Sequence, residues 1–153
     1  MNAHLTAGLA VIEEIYDDLI ALLERVDEAS LDWKPTVTDS NSTAVLVKHI
    51  TVSTASWLSR ALDQPMARDR DAEFHFSGSR DELISIINAS CETVRDLFAR
   101  LDTVDPGALR HYSRITKPEQ TEFSVAWCIE HALVHAAEHW GQIQLNQQLF
   151  AAR

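Results

Sequence analysis

The chain has 153 residues, enough for one domain, and its 46% hydrophobic and 24% charged residues are the balance of a globular protein. Acidic residues outnumber basic ones by 23 to 13, and the sequence lacks a basic cluster, so we expect neither nucleic acid nor an anionic membrane as a partner. The N-terminus lacks a signal-peptide pattern, and no apolar run reaches the ~20 residues of a membrane span, so we expect a cytoplasmic protein.

Apolar residues recur at helical spacing in four segments, two of which lie in the N-terminal half of the chain. The first segment, residues 5–26, ends before Leu31-Asp32-Trp33-Lys34-Pro35, where the proline prevents a helix from continuing. The second segment begins near Ser42-Thr43, two residues that cap helices well, and stops short of Pro65. We therefore predict one helix on each side of the proline-containing connection.

The other two segments lie in the C-terminal half. A third helix is expected from Ser79, which forms a capping box with Glu82, to about residue 101. A fourth is expected from Ser124 to about Phe150. Four helices of this length predict an all-α four-helix bundle that forms a single domain over residues 1–153. The connections are longer than bundle turns require, and we expect surface loops there, or alternatively loops that shape a pocket at one end: 27–40, 63–78 and 103–123.

The fourth helix carries an unusual polar stripe at helical spacing, formed by Cys128, His131, His135, His139, Gln142 and Asn146. A neighbouring apolar stripe can pack against the core, so the polar stripe is expected to face the bundle interior, where it needs partners. Two imidazoles four residues apart can converge on one metal ion, but His131 and His139 are ~12 Å apart along the helix. The spacing therefore leaves either His131 and His135 or His135 and His139 as the ligand pair.

A third ligand must come from another helix, and His49 is the candidate because it occupies an interior position on the second helix. Three imidazoles leave a coordination position open, which is typical of a catalytic zinc site, although nitrogen ligands alone do not distinguish zinc from nickel, iron or copper. The segment from His135 to His139 also fits the H-x-x-E-H pattern of inverted metalloproteases, with Glu138 as the base. That interpretation is disfavoured because no acidic residue follows His139 to complete the ligand set.

Three motifs resemble the DinB/YfiT-like superfamily in their order and spacing along nearly the whole chain. They are Leu31-Asp32-Trp33-Lys34-Pro35, then Asn41-Ser42-Thr43 ahead of His49, then His135-Ala136-Ala137-Glu138-His139-Trp140-Gly141-Gln142-Ile143. The segment Arg68-Asp69-Arg70-Asp71-Ala72-Glu73-Phe74 is also similar to a loop found in one branch of the family. The resemblance implies a four-helix bundle, frequently a homodimer, that holds one divalent metal ion on three histidines.

In this family pattern the three ligands match His49, His135 and His139, so the resemblance places His131 beside the site rather than among the ligands. Characterised members look like metal-dependent S-transferases of low-molecular-weight thiols such as bacillithiol, mycothiol or glutathione, with isomerase and hydrolase branches. We therefore expect an enzyme that uses zinc or nickel to transfer such a thiol, as co-substrate, to a small electrophile. The alternatives are a metal-dependent hydrolase and a non-catalytic metal-binding bundle. The catalytic residues are not identified, and His131, Glu138 and Gln142 are candidates for contacts with the ligands or the substrate.

Overall fold

The computed structural model describes residues 1–36, 39–113 and 117–153. These ranges form five helices, namely α1 (Ala3–Arg25), α2 (Thr43–Ala61), α3 (Arg70–Phe74), α4 (Arg80–Leu101) and α5 (Val125–Ala151). They also contain a single 3-10 turn, Glu28–Ser30, and one antiparallel sheet of two strands, β1 (Leu109–His111) and β2 (Glu122–Ser124). The four long helices confirm the predicted all-α bundle. Short helix α3 and the β1–β2 hairpin lie in connections that were expected to be loops.

Serine side chains cap the three helices whose starts the sequence marked. Ser42 accepts a hydrogen bond from the backbone N–H of Val45, and Ser79 accepts one from Glu82. Ser124 does the same for Trp127 at the start of α5. A side-chain cap of this kind satisfies a backbone donor that the helix cannot satisfy itself, and it stabilises the helix by about 1 kcal/mol.

Large apolar side chains from α1, α2 and α4, together with Leu31 from the connection between α1 and α2, fill the centre of the bundle. The largest of those that are almost completely inaccessible to solvent are Ile12, Tyr16, Leu19, Leu23, Leu31, Leu46, Ile50, Leu58, Leu83, Ile87, Phe98 and Leu101. None of the helices in the described ranges combines the length and the apolar character needed to cross a membrane. Burial of these side chains is the main source of folding free energy, at about 25 cal/mol for each Å² of apolar surface removed from water.

Helices α2 and α5 run antiparallel, and their contacts position the polar stripe of α5 against α2. Near the start of α2, Gln147 Nε2 donates a hydrogen bond to Thr43 Oγ1 over 2.9 Å. About four turns further along α2, the ring of Trp57 lies 4.4 Å from that of His131. His49 falls between these two contacts and therefore faces the part of α5 that carries the other histidines.

Candidate metal centre

Three imidazoles from α2 and α5 converge on one point. The Nε2 atom of His135 lies 3.4 Å from Nε2 of His49 and 3.3 Å from Nε2 of His139. One ligand atom from each of the three residues lies within 4.8 Å of the other two. Tetrahedral ligands at the usual zinc–nitrogen distance of 2.0–2.1 Å are separated by about 3.3–3.4 Å. The two shorter nitrogen–nitrogen distances are therefore those expected of ligands that share one ion.

The outer nitrogens of two of these rings are already hydrogen-bonded. His49 Nδ1 donates to Glu73 Oε2 over 3.1 Å, and His139 Nδ1 donates to the side-chain oxygen of Gln142 over 2.8 Å. These bonds fix the tautomers, so the Nε2 atoms of His49 and His139 both present lone pairs to His135. A single proton on His135 Nε2 can satisfy only one of them. The donor set therefore fits a bound cation better than it fits a chain of hydrogen-bonded histidines.

The surroundings keep these imidazoles in the neutral form that binds metal. Burial, followed by the neighbouring His139 ring, lowers the pKa of His49 from 6.5 to about 4. The same two causes lower the pKa of His135 to about 3. Because both values lie well below 7, neither ring needs to lose a proton before it binds a cation at neutral pH.

Glu73 is the acidic partner of this centre, and α3 holds it in place. The Asp69 side chain caps α3 by accepting a hydrogen bond from Ala72 N over 2.9 Å, and Glu73 itself is only 3% exposed. Arg68 donates to both oxygens of the Glu73 carboxylate, over 2.9 Å from Nε and 2.5 Å from Nη2. Burial alone would raise the pKa of Glu73, but Arg68 and His49 together outweigh it and lower the pKa. The carboxylate therefore stays ionised and holds the His49 ring in orientation.

Sequence reasoning did not identify Glu73 as a site residue. It lies in the Arg68–Phe74 segment that resembles a family loop, but nothing in its spacing relates it to His49, which is 24 residues away. Glu138, the carboxylate that the sequence did suggest, is exposed. In the described part of the chain, the side-chain hydrogen bonds from the outer nitrogens of the cluster go to Glu73 and Gln142 and not to Glu138.

The other candidate on the polar stripe, His131, lies outside the group of converging nitrogens. Its ring stacks on that of Trp127, with centroids 4.7 Å apart and planes 9° from parallel. The His131 and His135 ring centroids are 5.7 Å apart. Of the two ligand pairs that spacing allowed, the structure brings His135 and His139 to His49.

A cavity of about 510 Å³ adjoins the histidines, a size typical of small-molecule sites. His49, His135 and Glu138 line it at the metal end. Trp57, Tyr112 and Arg60 line the opposite end, where Tyr112, which directly follows β1, lies with its ring 5.4 Å from that of Trp57. The hairpin that was expected to be a loop therefore forms part of the cavity wall.

Comparison with known proteins supplies the family. No curated protein was found to match the chain. The family model of the DinB superfamily matches residues 12–143, a range that includes His49, His135 and His139. Since this match spans most of the sequence, the chain belongs to the DinB superfamily.

Proposed function

We propose that this protein is a divalent-metal-dependent enzyme that transfers a low-molecular-weight thiol to a small electrophile. The observation that carries the proposal is the convergence of three imidazole nitrogens beside a ligand-sized cavity, which His49 and His135 line. A structural zinc site normally has four protein ligands, whereas this cluster in the described residues offers three. A coordination position that faces a cavity favours chemistry over a purely structural role.

In this proposal His49, His135 and His139 hold the ion through Nε2, while Glu73 and Gln142 hold two of the rings through Nδ1. The ion would be zinc or nickel, and it would lower the pKa of a thiol bound at its open position so that the thiolate forms at neutral pH. The Glu73 carboxylate makes the His49 ring a more basic ligand, and Arg68 keeps that carboxylate from moving or taking up a proton.

The transfer is a substitution at the electrophile. The thiol proton passes to solvent, the sulfur forms a bond to the electrophilic carbon, and the bond to the leaving group breaks with its electron pair. Trp57 and Tyr112 give the cavity apolar walls that would exclude water from the reacting atoms. His131 lines the same cavity and is positioned to contact a bound molecule rather than the ion.

The test is thioether formation between glutathione and monochlorobimane, followed by fluorescence with protein loaded with zinc or nickel and with metal-free protein. We expect activity only with metal, and a loss on the order of 100-fold or more in His135→Ala. His4→Ala removes an exposed imidazole elsewhere in the chain and is the matched control, with activity unchanged.

Equal rates with and without metal would contradict the proposal. Metal-dependent hydrolysis of p-nitrophenyl acetate in the absence of any thiol, without thioether formation, would identify a hydrolase instead. Stoichiometric metal binding with neither reaction would identify a non-catalytic metal-binding bundle.

A further inference from the structure

Three arginines, Arg60, Arg68 and Arg70, line the cavity of a protein whose net charge is −10. Arg68 is neutralised by its two hydrogen bonds to Glu73. In the described ranges, which contain every acidic residue of the chain, neither Arg60 nor Arg70 forms an ion pair with a carboxylate. Of the three, Arg60 lies beside Trp57 and Tyr112, so the aromatic end of the cavity carries a cation that no carboxylate neutralises.

The Arg60 guanidinium is held in a defined position at that end. It lies 4.7 Å from the centroid of the Tyr112 ring and 5.4 Å from that of Trp57. Nη1 donates to the Ser56 hydroxyl and, over 3.4 Å, to the Ser56 carbonyl. The remaining donors of the fork, on Nη2 and Nε, have no hydrogen-bond partner in the described residues. Partial burial of a cation without a counter-ion costs free energy, which an anionic ligand would recover.

Arg60 and the histidine cluster lie at opposite ends of the cavity. Arg60 follows His49 by 11 residues on the same helix, a rise of ~16 Å along the axis. Glu138 follows His135 by one turn on α5, so this exposed carboxylate lies at the metal end and not beside Arg60. A molecule that spans the cavity would meet the metal ligands at one end and a planar cation at the other.

We propose that the substrate of this site carries a carboxylate, which Arg60 binds through its guanidinium while the reacting group lies at the histidine cluster. A guanidinium fork matches the two oxygens of a carboxylate, and the apolar faces of Trp57 and Tyr112 accommodate the carbon skeleton between the two ends. The reacting end of this assignment rests on the proposed function, whereas the Arg60 end stands on its own contacts. The carboxylate belongs to either the thiol or the electrophile, and the two sources can be distinguished experimentally.

The test uses isothermal titration calorimetry on the zinc-loaded protein with two matched probe pairs. Glutathione and its diethyl ester share a thiol and differ in free carboxylates, while glutarate and glutaramide differ in the same way without a thiol. Of the two acids, glutathione and glutarate, one or both should bind more tightly than the neutral analogue. We expect Arg60→Gln to weaken binding of such an acid by about 10–100-fold and to leave the affinity for its neutral analogue unchanged. Arg60→Lys keeps the charge but loses the fork, so its effect should be intermediate.

Arg95→Gln is the matched control, because it also removes one positive charge, from the exposed ion pair that Arg95 forms with Glu13. It should leave the affinity for every probe unchanged. Selectivity for glutathione over its ester places the carboxylate on the thiol. Selectivity confined to glutarate over glutaramide places it on the electrophile. The inference is overturned if neither acid binds better than its neutral analogue, or if the preference survives in Arg60→Gln.

The experiments also distinguish failure of the thiol-transfer proposal from failure of the carboxylate-site proposal. Arg60-dependent glutarate binding that persists in His135→Ala, together with absent thiol transfer, would refute the reaction and keep the carboxylate site. Metal-dependent thiol transfer that is indifferent to Arg60 and to carboxylates would keep the reaction and refute the carboxylate site.

Discussion

Helix α1 buries aliphatic side chains and one tyrosine, whereas α2, on the other side of the bundle, buries threonines, serines and His49 in addition to its apolar side chains. Among the short hydroxyl side chains of α2, Thr51 Oγ1 donates back to its own helix, to the carbonyls of Val47 and Lys48 at 3.2 and 2.9 Å. Small side chains such as Ser53 also leave room for the cavity. Both helices therefore contribute apolar side chains to the core, and α2 in addition supplies the space and the polar groups of the site.

The largest expected effect is on the free energy of unfolding, for a substitution on α1. Leu19 on α1 is completely buried, so Leu19→Ala should lower the free energy of unfolding by about 2–5 kcal/mol through lost burial and a residual cavity. Urea denaturation measures this change. The same experiment on Ser53→Ala should show a change of less than about 1 kcal/mol, because that position contributes space rather than packing. Comparable losses in the two variants would contradict this distinction between a packing position on α1 and a site position on α2.

A smaller effect, on metal affinity rather than on folding, is expected at Glu73. Glu73→Gln removes the negative charge behind His49, and it should weaken zinc binding by about 10–100-fold in a competition assay with a chelating dye. Glu138→Gln is the matched control: that carboxylate lies three residues from His135 but is exposed. A control variant that weakens zinc binding as much as Glu73→Gln would contradict the assignment, because Glu138 would then matter as much as the buried Glu73.

The smallest effect is expected at Gln142, whose side-chain oxygen accepts from His139 Nδ1 near the protein surface. In Gln142→Ala a water molecule can take over this hydrogen bond, so zinc affinity should fall only a few-fold. The contrast with Glu73→Gln measures how much burial strengthens a ligand's outer hydrogen bond. Equal losses in the two variants would show that burial of the partner is irrelevant.

Local sequence signals predicted the fold well. The serine caps of α2, α4 and α5 depend on contacts three residues apart, so Ser42, Ser79 and Ser124 could be assigned from sequence alone. The β1–β2 hairpin could not be predicted from sequence, because strands of three residues are too short for an alternating pattern to be recognised. Helix α3 spans five residues and likewise shows no period.

The site was predictable only in part, for a related reason. Helical spacing identified the histidine stripe, but it left His131 and His139 as equally good candidates for the ligand that pairs with His135. What separates them is tertiary: on α2, the Trp57 ring lies beside His131, whereas the His49 ring lies beside His139. Glu73 reaches His49 from α3, and Arg60 meets Tyr112 across the packing of α2 against the hairpin, and no local pattern describes either contact.

The most direct test of the central claim is the metal content of the purified protein, measured by elemental mass spectrometry on the wild type and on the His135→Ala/His139→Ala variant. We predict about one zinc or nickel ion per chain in the wild type, none in the double variant, and full occupancy in His131→Ala. A wild type that holds no metal, even after zinc or nickel is added, would contradict the account. Occupancy that depends on His131 and not on His139 would also contradict the ligand set.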